Sequence, residues 1–110
     1  MTDLASKKCV PCENDGFPPL TKEQANDFMQ HVPLWSVNEE ATEIFRTFRF
    51  PDFKQALEFT NKIGALAEEE GHHPDIQLGW GKVGVTLTTH SVKGLSENDF
   101  VLAAKIDLLT

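Results

Sequence analysis

The apolar residues of this chain follow two periods that alternate from one segment to the next. The longest segment has the spacing of an amphipathic helix and follows a start signal at Pro51 and Asp52. The positions that share its apolar face are Phe53, Ala56, Leu57, Thr60, Ile63, Gly64 and Ala67. The pattern predicts a long helix that packs this face against the rest of the molecule.

Two shorter helices are predicted from capping-box patterns, in which a hydroxyl residue is followed three positions later by Gln or an acidic residue. The first begins at Thr21 and ends near His31, because Pro33 stops it. The second begins at Ser96, with Asp99 as its acidic partner. Its apolar stripe consists of Phe100, Ala103, Ala104 and Leu108.

Alternation of apolar and polar residues predicts two hairpins. The first joins a strand around Trp35 and Val37 to residues 44–50, which are rich in aromatic and β-branched side chains. The second pairs Ile76–Trp80 with Lys82–Thr88. One face of this hairpin carries Ile76, Leu78 and Trp80 with Val83, Val85, Leu87 and Thr89, and the opposite face carries Gly84, Thr86, Thr88 and His90.

The predicted order is helix, strand, strand, helix, strand, strand, helix, in a single domain at residues 21–110 that follows an extended arm at residues 1–20. Strands joined as hairpins form an antiparallel sheet. The expected fold is therefore α+β, a two-layer sandwich of a four-stranded antiparallel sheet with three helices on one face. Several apolar side chains exceed what so small a sheet needs, and this surplus predicts self-association. They are Ile44, Phe45, Phe48, Phe50 and Phe59.

Charge and composition exclude several classes of function. Seventeen acidic against ten basic residues give a formal net charge of -7, which disfavours direct contact with nucleic acid or anionic lipid. No segment has the apolar core of a signal peptide or the length of a membrane span, so a cytosolic protein is expected. Cys9 and Cys12 form a CxxC pair. Without a second pair, a partner histidine or a preceding strand, neither zinc binding nor redox cycling is expected of it.

Three of the four histidines, His72, His73 and His90, lie around the second predicted hairpin. Antiparallel pairing brings the entry of its first strand beside the exit of its second, so His73 and His90 are expected to be close. Neutral and protonated imidazoles coexist near pH 7, which lets one ring act as acid while another acts as base. Pro74 restricts His73 to an extended backbone. The alternative, an ordinary surface residue, explains a single histidine better than three that converge.

Two carboxylates are candidates for orienting these rings. Glu68 lies four residues before His72 and is expected to hydrogen-bond it if the long helix lasts through Gly71. Asp99 is expected to cap the last helix. Because that helix starts shortly after His90, Asp99 is also expected to orient a histidine ring.

In these residues the sequence resembles the pterin-4a-carbinolamine dehydratases, known in animals also as dimerisation cofactors of a homeodomain transcription factor. The resemblance covers roughly Leu20 to the C-terminus. Its signature consists of Glu68, His72, His73, Pro74, Trp80, His90 and Asp99, each at the expected spacing. The resemblance implies a lyase that dehydrates 4a-hydroxytetrahydropterin to quinonoid dihydropterin, in tetrahydrobiopterin recycling or related pterin metabolism. It also implies a homodimer or homotetramer with no metal or organic cofactor.

The resemblance further implies a role for each signature residue. The pterin would lie among the three histidines, with His73 and His90 transferring protons and His72 binding the substrate or stabilising charge. Glu68 and Asp99 would orient the rings. The substrate contacts expected outside the histidines are Pro74 and Trp80.

Three other functions stay open at this point. Members of the resembled family also act as protein-binding modules, and the signature does not exclude that role. His72, His73 and His90 could instead be the ligands of a metal-dependent hydrolase. The chain could also be a member that has lost activity or that acts on another pterin.

Overall fold

A computed structural model describes residues 19–89 and 92–110. Nearly all of the predicted arm, together with His90 and Ser91, lies outside these residues. The helices and strands are α1 (Lys22–Met29), β1 (Ser36–Val37), β2 (Ile44–Arg49), α2 (Phe53–Glu70), β3 (Asp75–Gly79), β4 (Lys82–Leu87) and α3 (Glu97–Asp107). The predicted order of helices and strands is confirmed.

The four strands form one antiparallel sheet in the order β1-β2-β4-β3. Each predicted hairpin is present, and the two are joined through the pair β2 and β4 at the centre of the sheet. In this central pair Ile44 lies opposite Leu87 and Arg49 lies opposite Lys82. β3 is an edge strand, so the chain enters it from α2 at the margin of the sheet.

The helices begin and end at residues that satisfy their terminal backbone groups. In α1 the predicted capping box is present, since Thr21 Oγ1 accepts from the Gln24 N–H at 3.1 Å and Gln24 Oε1 accepts from the Thr21 N–H at 2.9 Å. Asp52 caps α2 by accepting from the Gln55 N–H at 2.9 Å. Gly71 ends α2 in the left-handed conformation, with a φ of 68°.

One core lies between the sheet and the helices. Its members come from one face of β2 and β4, from α2, and from most sides of α3. The expected apolar surplus is largely absorbed by this core, because Ile44, Phe48 and Phe59 are buried and Phe50 packs against them. Of that predicted set only Phe45 is exposed.

The apolar face of α2 is rotated from the predicted one. Phe59 faces the sheet with ring centroids 4.7 Å from Phe48 and 5.1 Å from Phe50. Because this large aromatic ring takes the sheet-facing position, Phe53 and Leu57 are turned outward and are exposed. The buried positions of α2 are Ala56, Phe59, Ile63 and Ala67.

A polar contact that the sequence did not suggest joins α3 to the sheet. Asp107 Oδ1 accepts from Trp35 Nε1 at 2.9 Å and from Arg46 at 2.6 Å. The Arg46 guanidinium also lies 4.2 Å from the centroid of the Phe48 ring. Among the described residues, no helix is long and apolar enough to cross a membrane.

Candidate active site

The junction between α2 and β3 presents two adjacent histidines. The N–H groups of Gly71 and His72 both donate to the Ala67 carbonyl, at 2.9 and 3.2 Å, so the chain reverses at Gly71. His72, His73 and Pro74 follow without regular structure, and β3 begins at Asp75. The reversal turns two consecutive side chains toward different neighbours.

His72 lies against a fully buried carboxylate. Its Nε2 is 2.6 Å from Asp99 Oδ1, the His72 side chain is 13% exposed and Asp99 is wholly buried. The other carboxylate oxygen, Oδ2, accepts from the Ser96 N–H at 2.9 Å, which is the capping-box contact at the start of α3. Both contacts expected of Asp99, a helix cap and a histidine partner, are therefore present in one side chain.

Two hydroxyl groups complete the surroundings of Asp99. Thr89 Oγ1 donates to Asp99 Oδ2 at 2.7 Å, and Ser96 Oγ lies 2.8 Å from Thr89 Oγ1. In the sequence, Thr89 is recognisable only as a member of the row that includes Val83, Val85 and Leu87. A hydroxyl in an otherwise aliphatic row of buried positions is a usable signal, because a buried polar group needs a partner.

His73 is held by the other predicted carboxylate. Its Nε2 lies 2.5 Å from Glu68 Oε2, and both side chains are largely exposed, at 61% and 78%. The expectation that Glu68 would bond His72 is wrong. α2 ends at Glu70 and Gly71 reverses the chain, so His72 turns inward to α3 while His73 comes back over Glu68.

The third predicted histidine, His90, lies outside the described residues. The strand pairing on which its predicted closeness to His73 depended is confirmed, since Asp75 at the start of β3 lies opposite Thr86 near the end of β4. A backbone bridge between Thr89 and Gly94 then closes the segment that follows β4. The contact of His90 with the rings of His72 and His73 stays a prediction.

Trp80 does not share this site within one chain. Gly79 lies opposite Lys82, so Trp80 and Gly81 form the turn between β3 and β4 and Trp80 is not on a strand face. It is 71% exposed, and it lines a separate cavity of about 380 Å³ with Arg49, Phe50, Gly81 and Lys82. At about 3.3 Å per residue, the length of β3 puts roughly 20 Å between Trp80 and His73.

The described residues alone provide no metal centre. Within residues 19–89 and 92–110, no three His, Cys, Asp or Glu side chains come close enough to hold an ion. The alternative of a metal site at the three histidines would need His90, which lies outside these residues, as do Cys9 and Cys12. In His72 and His73, the contact at Nε2 is a carboxylate.

Comparison with known proteins gives a consistent result. The family described as "Pterin 4 alpha carbinolamine dehydratase" matches residues 18–109. A relative from Methylococcus capsulatus, named as a pterin-4-alpha-carbinolamine dehydratase, is 52% identical over 106 residues, which are 96% of this chain and 92% of the relative. One from Rubrobacter xylanophilus with the same name is 49% identical over 109 residues, covering 99% of this chain and all of the relative.

A solved structure shares the fold. It is the crystal structure of a transcriptional coactivator/pterin dehydratase from Brucella melitensis, with a TM-score of 0.77 and 32% identity, covering 83% of this chain and 97% of that one. The three helices and four antiparallel strands described above match its architecture.

Proposed function

This chain belongs to the pterin 4 alpha carbinolamine dehydratase family, and on that premise we propose that it dehydrates 4a-hydroxytetrahydropterin by histidine acid/base chemistry. The resemblance found in the sequence alone is thereby confirmed at the level of the family. The roles of individual residues belong to the proposal. The observation that carries it is the pair of histidines at one chain reversal, each with a carboxylate at Nε2.

The two carboxylates occupy the same nitrogen of each ring and leave the other nitrogen for the substrate. Asp99 accepts at His72 Nε2 and Glu68 accepts at His73 Nε2. A carboxylate at one ring nitrogen orients the imidazole, favours the tautomer with a proton there, and stabilises the imidazolium. In both rings Nδ1 is then the nitrogen left for the substrate. This arrangement supports proton transfer better than metal binding.

The reaction requires one general acid and one general base, each positioned beside the substrate. The C4a–O bond of the carbinolamine breaks as the lone pair of ring nitrogen N5 forms the C4a=N5 double bond. One acid protonates the departing oxygen, which leaves as water, and one base accepts the proton from N5. The net change is loss of one water molecule, and no oxidant or reductant is needed.

We assign the proton transfers to His73 and His90 and charge stabilisation or substrate binding to His72. Support for His73 comes from its exposure, which gives a flat heterocycle access to the ring, and from its bond to Glu68. Support for His72 comes from its buried carboxylate partner, which holds the ring in one place. Pro74 follows His73 directly and is proposed to contact the pterin. Trp80 lies roughly 20 Å from His73 along β3, so its proposed substrate contact would require another copy of the chain.

The test is a stopped-flow measurement of 4a-hydroxytetrahydropterin dehydration by the wild type and by His72→Ala, His73→Ala and His90→Ala. Loss of a positioned acid or base typically lowers the rate by about 10² to 10⁴, and His73→Ala and His90→Ala are expected in that range. His31→Ala is the matched control, because His31 is exposed at the end of α1 and belongs to no part of the site. Wild-type rates in both His73→Ala and His90→Ala would refute the proposal.

A second candidate function is protein binding, with or without catalysis. It is favoured by the name of the Brucella melitensis structure, which includes a transcriptional coactivator. We also propose a homodimer or homotetramer, because Phe45, Phe53 and Leu57 are exposed large apolar side chains. If His73→Ala abolishes dehydration while oligomer mass and any partner binding persist, the two roles are separable.

A further inference from the structure

The hydrogen bonds around Asp99 leave little freedom for the position of any proton. An ionised carboxylate can only accept hydrogen bonds. Oδ2 takes the Thr89 hydroxyl at 2.7 Å and the Ser96 N–H at 2.9 Å, and Oδ1 lies 2.6 Å from His72 Nε2. Asp99 is wholly buried, and three groups therefore meet one carboxylate inside the protein.

The direction of the hydroxyl chain follows from the number of protons. Thr89 has one hydroxyl proton, and that proton is given to Asp99. The contact of 2.8 Å between Thr89 and Ser96 must then have Ser96 Oγ as donor. A chain of donation therefore runs from Ser96 through Thr89 to the carboxylate of Asp99.

Thr89 is itself fixed in place. Its N–H donates to the Gly94 carbonyl at 2.8 Å, its carbonyl accepts from the Gly94 N–H at 3.3 Å, and the residue is buried. A β-branched side chain has few rotamers to choose from. The hydroxyl thus meets Asp99 as a rigid group rather than as a mobile one.

We propose that Thr89 is a positioning residue, whose hydroxyl fixes the Asp99 carboxylate and through it the Nε2–H tautomer of His72, so that His72 meets the pterin through Nδ1. A ring with its proton on Nδ1 would point the Nε2 lone pair at a carboxylate lone pair, and Asp99 cannot rotate away while Thr89 and Ser96 hold Oδ2. The catalytic part of this inference rests on the proposed dehydratase function. The tautomer part does not.

Two variants of Thr89 separate the hydroxyl from the packing. Thr89→Val keeps the shape and removes the donor, whereas Thr89→Ser keeps the donor and removes a methyl group. Thr86→Val is the matched control, because Thr86 is the same type of residue three positions earlier in the chain, in β4, and lies on the opposite face of the sheet. Thermal unfolding of each variant shows whether it remains folded.

The tautomer is read from long-range ¹H–¹⁵N spectra of histidine-labelled protein at alkaline pH, with His72 assigned by the loss of its signals in His72→Gln. Wild type, Thr89→Ser and Thr86→Val are expected to show His72 with its proton on Nε2. Thr89→Val is expected to shift the tautomer ratio roughly tenfold toward Nδ1–H, the size of effect that follows from losing one hydrogen bond to a charged group. Its kcat is expected to fall roughly tenfold with KM changed by less than about twofold.

Three results would overturn the inference. An Nδ1–H tautomer of His72 in the wild type would do so without any variant. An unchanged tautomer in folded Thr89→Val would do so even if activity fell, because the loss would then come from packing. A shifted tautomer with wild-type kcat would remove the link to catalysis. Full dehydration by His72→Ala would instead refute the catalytic role of His72, and the spectra would still report the tautomer.

Discussion

At the scale of single residues, the two carboxylates of the site differ most in their surroundings. Asp99 is wholly buried and meets three donors, whereas Glu68 is 78% exposed and has His73 as its partner. Water can replace the lost partner at an exposed ion pair but not at a buried one. The buried contact of Asp99 is therefore expected to contribute more to the free energy of unfolding than the exposed contact of Glu68.

We predict that Asp99→Asn lowers the free energy of unfolding by about 1 to 3 kcal/mol, because an amide must turn its NH₂ group toward one of the three donors. Glu68→Gln is expected to change it by less than about 0.5 kcal/mol. Urea unfolding of both variants measures the difference. Equal losses in the two variants would contradict the importance given to burial.

Sequence reasoning identified the residues of the site better than their partners. The residues recognised from the sequence include Glu68, His72, His73 and Asp99. The pairing of His72 with Asp99 and of His73 with Glu68 was not predicted. The reversal of the chain at Gly71 decides which carboxylate each ring contacts. The i, i+4 spacing used for the prediction applies only while the helix continues, so it could not predict the contacts beyond Gly71. The bond from Thr89 to Asp99 joins the segment after β4 to α3, and no periodic pattern in the sequence indicates it.

At the scale of helices and strands, the ends were predicted most securely where a side chain caps the backbone. Thr21, Asp52 and Ser96 each stand at a predicted helix start. The face that α2 buries was predicted less well, because spacing alone does not distinguish Phe59 from Leu57. Packing against Phe48 and Phe50 decides that choice.

The end of α2 provides a prediction at this scale. Gly71 has a φ of 68°, and a Cβ added there would meet nothing within 4 Å, so Gly71→Ala introduces only backbone strain. We expect it to lower the free energy of unfolding by about 1 kcal/mol, the cost of placing a side chain in the left-handed region. It should also weaken dehydration, since the reversal places both histidines.

Gly64→Ala is the matched control. It lies inside α2, and a Cβ there also has nothing within 4 Å. It is expected to stabilise the protein by about 0.5 to 1 kcal/mol, because alanine is a better helix former than glycine. Urea unfolding of the two variants should move in opposite directions, and movement in the same direction would contradict the explanation.

At the scale of the whole molecule, the surface retains apolar side chains that one copy does not bury. Phe53 and Leu57 are exposed on the outer face of α2, and Phe45 is exposed on the open face of the sheet. Self-association was predicted from a set of apolar residues, of which the core holds most and Phe45 is the one that stays exposed. Self-association stays a prediction, and its support now comes from Phe45 together with the outer face of α2.

We expect light scattering after size exclusion to give a mass of two or four times 12.3 kDa, and we expect Leu57→Glu to reduce it. A carboxylate introduced into an apolar contact would be desolvated without a partner. Gln55→Glu is the control, since it adds the same charge at an exposed position on another side of α2. A monomeric wild type would contradict the prediction.

The double use of Asp99 has a consequence for anyone who wants an inert form of this protein. One oxygen caps the first turn of α3 and the other contacts His72. A substitution of Asp99 is therefore expected to disturb both the start of the helix and the orientation of the histidine. In an Asp99 variant, loss of catalysis could not be distinguished from loss of stability. On the role proposed for His73, an inactive reference protein is better made there, because both His73 and its partner Glu68 are largely exposed and no buried group loses a partner.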